Sequence, residues 1–314
     1  MKKTKLTGSQ PRNLEMRSVV LIVAVVALAA CAPENMEARR LRDACAEGQL
    51  AACNKFAVKL QKGEYILRDD KHAASLFDQT CKGGVAEGCA SLGVMLQRGS
   101  GVKRDTTRAR DLFQQACERG AMNGCARLGV LYREGRAGVP RDVVHAVSLF
   151  KRACDGGEML GCGYLGSAYT AGDGVSQDHS QAATLFKRAC DAKIAFGCVG
   201  LGRLYLAGTG ITRNDSLGAD LFKKWCKGRE REGCFDLAKA NESGQGIPQN
   251  YQLAAFLYDE ACEDGNGEAC ARLAALYEKG AGVFRSAERA KRYRREACDL
   301  KYLEACDKPK PKQS

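Results

Sequence analysis

A chain of 314 residues with 45% hydrophobic and 27% charged residues has the balance of a folded protein, not of a disordered or fibrous one. Its formal net charge of +12 favours anionic partners in general. Its 17 cysteines argue against a reducing cytosol, and its three histidines leave little for histidine-based chemistry.

The chain opens on a basic stretch, MKKTKLTGSQPRNLEMR, followed by an apolar run from Ser18 to Ala30. That run is too short to cross a bilayer as a stable helix and suits a signal-peptide core. Leu28-Ala29-Ala30-Cys31 then resembles a bacterial lipobox, in which Cys31 would be lipidated and become the first mature residue. The competing reading is cleavage at Ala27-Leu28-Ala29, which would release a soluble protein with a free thiol. Met16 is an alternative start, since Met16-Arg17 and the apolar run already make a complete short signal. Residues 1–30 are therefore assigned as signal, 31–33 as lipidated tether, 34–306 as a repeat array and 307–314 as a Lys/Pro-rich disordered tail. Loss of residues 1–30 removes five Lys/Arg and one Glu and leaves +8. Ala32 resembles the pattern for outer-membrane sorting. The expected location is the periplasmic side of a bacterial envelope, in contact with membrane only through the lipid, with secreted or soluble periplasmic protein as the alternative. A tether of Ala32 and Pro33 reaches about 10 Å. Arg39, Arg40 and Arg42 would then either meet anionic head groups or form a polar cap; both readings stay open.

From Cys45 onward the cysteines repeat as C-x7-C: Cys45/Cys53, Cys81/Cys89, Cys117/Cys125, Cys154/Cys162, Cys190/Cys198, Cys226/Cys234, Cys262/Cys270 and Cys298/Cys306. The period is 36 residues, with one insertion before Pro140. A period in the mid-thirties is the signature of helix-turn-helix solenoid repeats. Each repeat predicts a helix A, opened by an N-cap at Asp69, Asp105, Asp142, Asp178, Asn214, Asn250 or Ser286. Helix A buries a Leu-Phe step such as Leu112-Phe113 or Leu149-Phe150. Gly48, Gly84, Gly120, Gly157 and Gly265 are placed to stop it. Helix B follows with the second cysteine, preceded by Gly88, Gly124, Gly161, Gly197 or Gly233, where a small residue lets the helices approach closely. It ends at Gly63, Gly99, Gly135, Gly172, Gly208, Gly244 or Gly280, placed for φ > 0. The fold class is thus all-α: a solenoid of about eight 36-residue repeats.

The cysteine spacing puts one sulfur in the last turn of helix A and the other one turn into helix B. Folding the helices back brings the pair within disulfide reach, so all eight pairs are expected to be bonded within their repeats. A loop this short gives about 2.5 kcal/mol per bridge by chain entropy. No metal site or cofactor is expected. Four-cysteine zinc sites use shorter C-x2–4-C steps, and neither H-E-x-x-H nor G-x-S-x-G occurs.

The pattern A-x-x-L-F-x-x-A-C…G-C-x-x-L-G-x-x-Y-x-x-G-x-G-V resembles the Sel-one-like repeat, a relative of the tetratricopeptide repeat. The bridged C-x7-C unit resembles the branch named for the Helicobacter cysteine-rich proteins. The resemblance covers Glu34 to Asp307. It implies a right-handed α/α superhelix with helices A on the concave side, and a role in protein–protein contact. Some members are described as penicillin-binding proteins or β-lactamases, so the resemblance also implies a β-lactam-directed alternative. The one S-x-x-K match, Ser148 to Lys151, falls on the Leu-Phe core step and lacks the S-D-N and K-T-G companions.

Departures from the pattern mark candidate sites. Lys151-Arg152, Lys187-Arg188 and Lys223-Lys224 form a basic row on three consecutive A helices, which Asp259-Glu260 then reverses. The row is either a solvated face or a site for an acidic peptide or the carboxylates of a cell-wall ligand. Trp225 stands where other repeats mostly have Ala, and Asn241 where Tyr132, Tyr169, Tyr205 and Tyr277 sit. Trp225 is either packing compensation or an aromatic anchor. His72 and His145, in the first turn of helix A, are read as solvated. Repeat 8 carries Tyr293-Arg294 in place of Leu-Phe, a polar capping change. The chain is expected to be a monomeric scaffold for a protein or peptide, with no nucleic-acid partner.

Overall fold

A computed structural model describes residues 35–226 and 233–306. The signal, Cys31, the tether and the tail fall outside these residues. Fifteen α-helices and no strand occur among the described residues. In chain order they are α1 (Asn35–Ala46), α2 (Leu50–Lys62), α3 (Asp70–Lys82), α4 (Ala86–Arg98), α5 (Thr106–Glu118), α6 (Met122–Glu134), α7 (Val143–Asp155) and α8 (Met159–Ala171). There follow α9 (His179–Asp191), α10 (Ala195–Ala207), α11 (Asp215–Lys224), α12 (Cys234–Ser243), α13 (Tyr251–Glu263), α14 (Gly267–Lys279) and α15 (Ala287–Asp299). Odd-numbered helices are the A helices and even-numbered ones the B helices. The chain divides into two compact units, Met1–Ala121 and Met122–Ser314. Within each, every helix packs on its neighbours in sequence, the arrangement of a helical solenoid.

All seven predicted N-caps form. Asp69 accepts from the His72 amide at 2.9 Å, Asp142 from His145 at 2.9 Å and Asn250 from Leu253 at 3.0 Å. Each such cap contributes about 1 kcal/mol. The same residues anchor the loop from the other side, for the Asp69, Asp178 and Asn250 amides donate to the Leu60, Tyr169 and Asn241 carbonyls. The connecting loop is thereby tied to both of the helices it joins.

The helix-stopping glycine after the first cysteine adopts φ near +90° at Gly48 (87°) and Gly120 (91°). In two repeats lysine takes that place, Lys193 at 62° and Lys301 at 66°, a conformation that costs a residue with a Cβ. Helix–helix contact needs glycine for a different reason. A Cβ at Gly93 on α4 would sit 2.6 Å from the Phe113 ring on α5. The same geometry recurs between Gly129 and Phe150, and between Gly202 and Phe222. At these junctions the ring of helix A fills the notch left on the preceding helix B, and Phe113, Phe150 and Phe222 are almost wholly buried.

Seven of the expected disulfides join their cysteines across Cα–Cα distances of 4.4 to 4.9 Å. Cys117 and Cys125 are likewise oxidised. Two repeats depart from the expected pattern. In the sixth, α11 stops at Lys224, so Cys226 lies beyond the helix end and not in its last turn. Trp225, too bulky for the close approach that Ala allows, is the residue at which the helix ends. In the eighth, a 3-10 turn (Leu303–Ala305) stands before Cys306 where helix B would run. Tyr293 corrects the capping expectation. It is 6% exposed, stacks on Tyr277 at 5.6 Å and stays in the core, whereas Arg294 is exposed.

Candidate functional site: consecutive helices of the second unit

The basic row lies on α7, α9 and α11, and all six of its cations are exposed. Their chemistry is uneven. Lys187 pairs with Asp191 one turn along its own helix at 2.9 Å, and that carboxylate raises the lysine above its ordinary value. The Arg188 guanidinium donates to the Cys154 carbonyl at 3.4 Å. It thereby adds a side-chain donor to a carbonyl that already accepts from the Gly157 amide at 3.1 Å, and ties α9 to the C-terminus of the preceding A helix. Arg119 does the same in the first unit, donating to the Cys81 carbonyl at 3.0 Å. Lys224 lies 6.0 Å from the centre of the Trp225 ring. Lys151 lines a cleft of about 430 Å³ with Asp155, Tyr169, Gln181 and Thr184. Arg152 and Lys223 stand on the same exposed flank of their helices.

Trp225 is 7% exposed and belongs to the hydrophobic cluster that includes Cys234, Leu237 and Tyr258. Little of the ring reaches solvent, and its contacts are those of a packed side chain. Asn241 is also buried and donates to the Leu237 carbonyl at 2.8 Å within its own helix. Ser148 donates its hydroxyl to the His145 carbonyl at 2.7 Å, so the S-x-x-K serine is engaged with the helix backbone and not with Lys151. His145 is exposed and stands edge-on to Tyr132 at 4.4 Å. Cys262, Cys270 and Glu296 lie within 4.8 Å of one another, but both sulfurs are spent in a disulfide and offer no thiolate to a metal.

A second charged constellation, not anticipated from sequence, runs along the B helices. Arg203 on α10 grips the Asp236 carboxylate on α12 through Nε at 3.0 Å and Nη2 at 2.6 Å. Asp236 is only 3% exposed, and Lys239 approaches its other oxygen at 3.4 Å. One turn further, Glu242 accepts from the Tyr258 hydroxyl at 2.6 Å and from Arg272 on α14 at 3.0 Å, while Arg272 also bonds Glu268 at 2.9 Å. Burial, then the bond to Glu242, push the Tyr258 hydroxyl far above its ordinary value. Burial opposes the Arg272 cation, but its bonds to Glu268 and Glu242 prevail and hold it protonated. The groove over these groups measures about 640 Å³. A periodic signal did exist. Arg203 and Lys239 stand five residues past the second cysteine, where other repeats have Val94, Val130, Ser167 and Ala275. The two cations straddle the buried acid.

Among the described residues no helix is long and apolar enough to cross a membrane. Residues 50–85, 86–120, 123–158, 160–193, 195–228, 231–266 and 267–302 each match the Sel1 repeat. A solved Sel1 repeat protein from Oxalobacter formigenes shares the fold at a TM-score of 0.62 and 19% identity, covering 83% of this chain and 99% of that one. The structure of c5321, described as a protective antigen present in uropathogenic Escherichia coli strains displaying an SLR fold, aligns at a TM-score of 0.56 and 26% identity. That alignment covers 85% of this chain, which spans only 57% of the relative's length. Helicobacter pylori cysteine rich protein B matches 42% of this chain and 93% of its own at 28% identity, with a TM-score of 0.33. No curated protein sequence matches the chain.

The matched segments also shift the frame of the repeat. Each runs from a helix B to the following helix A, so Cys81 closes one segment and Cys89 opens the next. In this frame the disulfides are junctions between successive repeats and not staples inside them. The physical reason is the glycine-notch packing, which makes α4 and α5 a unit in their own right. With seven matches between residues 50 and 302, the chain belongs to the Sel1 repeat family.

Proposed function

We propose that this protein is an exported lipoprotein whose stiffened Sel1 array holds a protein partner carrying an acidic segment. Sel1 repeats build scaffolds suited to protein–protein interaction. The observation that carries the finer reading is the basic row: six exposed cations on α7, α9 and α11, three consecutive A helices whose pitch is held by disulfides at Cys154–Cys162 and Cys190–Cys198. Fixed spacing between binding groups lowers the ordering cost of association. Lys151, Lys223 and Lys224 supply the charge that an acidic segment would meet, Lys187 contributes on release from Asp191, and Arg188 serves the scaffold. The oxidised cysteines of the array support a location outside the reducing cytosol. The lipobox-like Leu28-Ala29-Ala30-Cys31 supports a lipid anchor there.

The test is capture from envelope extract by the mature protein and by a variant with Lys151, Lys187, Lys223 and Lys224 all changed to Glu. Arg188 is left intact so that the junction with α7 is preserved. The proposal expects capture to be lost while the melting temperature is kept; unchanged capture would reduce the row to a solvated face. Mass analysis of the mature N-terminus checks export separately, since a diacylglyceryl adduct on Cys31 is expected.

A further inference from the structure

We infer a second, independent anion site on α15, built to seat an acidic peptide segment against an exposed cationic face of the helix. The helix is the last among the described residues, and its register against α13 is fixed by the 36-residue period. Ala255, Tyr258 and Asp259 on α13 correspond to Lys291, Arg294 and Arg295 on α15. On α13 that face is covered. Ala255 and Tyr258 are buried, and Asp259 accepts from the Tyr293 hydroxyl of the next A helix at 2.7 Å. On α15 the same face opens onto a pocket of about 660 Å³ lined by Arg285, Lys291, Arg294, Arg295 and Glu278.

One of the four cations lining the pocket has an ion-pair partner among the described residues. Glu278 pairs with Arg294, as Glu242 pairs with Tyr258 one period earlier. Arg285, Lys291 and Arg295 make no ion pair among the described residues. The other arginines of the helix behave differently, for Arg289 lies over the Tyr277 ring and Arg292 over Tyr293. A polar cap explains why this face lacks the aromatic residues of α13. It does not explain four cations against the one acid Glu278, because balanced charges would keep the face wet without mutual repulsion. The register also favours a peptide as occupant, because the corresponding face of α13 is covered by polypeptide. A second copy stacked head to tail is disfavoured, because α1 would present Arg39, Arg40 and Arg42 to these cations.

This site does not rest on the basic row, and the experiment keeps the two apart. Binding of a fluorescein-labelled twelve-residue oligoglutamate to the full chain is followed by anisotropy at low salt. One variant carries Arg285→Gln, Lys291→Gln and Arg295→Gln, which keep the face polar. A control of equal charge loss, at exposed lysines of the first unit outside both sites, carries Lys55→Gln, Lys71→Gln and Lys103→Gln. The pocket variant should weaken binding about tenfold, as three exposed ion pairs imply, and the control by less than twofold. Equal losses in both would show a response to bulk charge and overturn the site, as would no loss in the pocket variant. Tighter binding of tripolyphosphate than of the peptide at the same pocket would overturn the peptide as its occupant.

Discussion

Arg203 and Asp236 form a two-pronged ion pair between α10 and α12, with the carboxylate nearly sealed from solvent and the guanidinium half exposed. Removal of one member of such a pair leaves a desolvated charge behind, which is why truncation costs more than the pair itself is worth. Arg203→Ala should lower stability by about 1–2 kcal/mol, moderated by Lys239 at the other oxygen. The double variant Arg203→Ala/Asp236→Ala should be more stable than Arg203→Ala alone. Thermal melts of the three proteins under non-reducing conditions decide the point.

Gly93 has no room for a methyl group against Phe113. Gly93→Ala should cost about 1–3 kcal/mol through overpacking, despite the better helix propensity of alanine. Adding Phe113→Leu should recover part of the loss, and urea unfolding measures both. A loss that Phe113→Leu leaves untouched would locate the strain elsewhere.

Alkaline unfolding should involve Tyr293. Burial first, and then its bond to Asp259, push its hydroxyl up to about 12. A tyrosine held neutral by the fold contributes stability that is complete below its unfolded value of about 10. That contribution is lost as pH rises through the folded value. Tyr293→Phe should therefore flatten the fall in stability between about pH 10 and 12, followed by circular dichroism. At the acid end the sign reverses. Backbone amides of Gln181 and Ser180 hold the Asp178 carboxyl below its ordinary value. Its cap is thus intact above the unfolded value and fails as pH falls through the folded one, a loss that Asp178→Asn should blunt.

The disulfides predict a simple chemical count. Sixteen of the 17 cysteines are oxidised, so the unlipidated full chain should show one reactive thiol, at Cys31. Non-reducing peptide maps should return C-x7-C pairs. Replacement of Cys154 and Cys162 by serine should cost about 2.5 kcal/mol, read from the midpoint of denaturant unfolding.

Helices, caps and bridges were legible because each rests on local chemistry repeated in register: Asp69, Gly63 and Cys81 recur at fixed offsets and act within a turn or two of themselves. Tyr293 and Asp236 were not legible in the same way. Their surroundings depend on which neighbouring helix supplies a partner, and Arg203 and Asp236 are a repeat apart in sequence. The basic row was visible as charge, but the sequence could not say that Arg188 is committed to a carbonyl of the preceding helix. Nor did the period reveal where a repeat begins, since an array can be cut at either of its two connections.

The described bridges all close rings of the same small size, from Cys45–Cys53 to Cys298–Cys306, and none spans the longer loops that end at the N-caps. Covalently the polypeptide is a string of beads on single threads. A protease that cuts within a bead leaves the string whole, whereas one cut in a thread separates the pieces on either side once packing is disrupted. Endurance against digestion is therefore decided in the segments without sulfur, such as 64–68, where a backbone hydrogen bond from Glu64 and the surface ion pairs of Glu64 and Arg68 guard the thread.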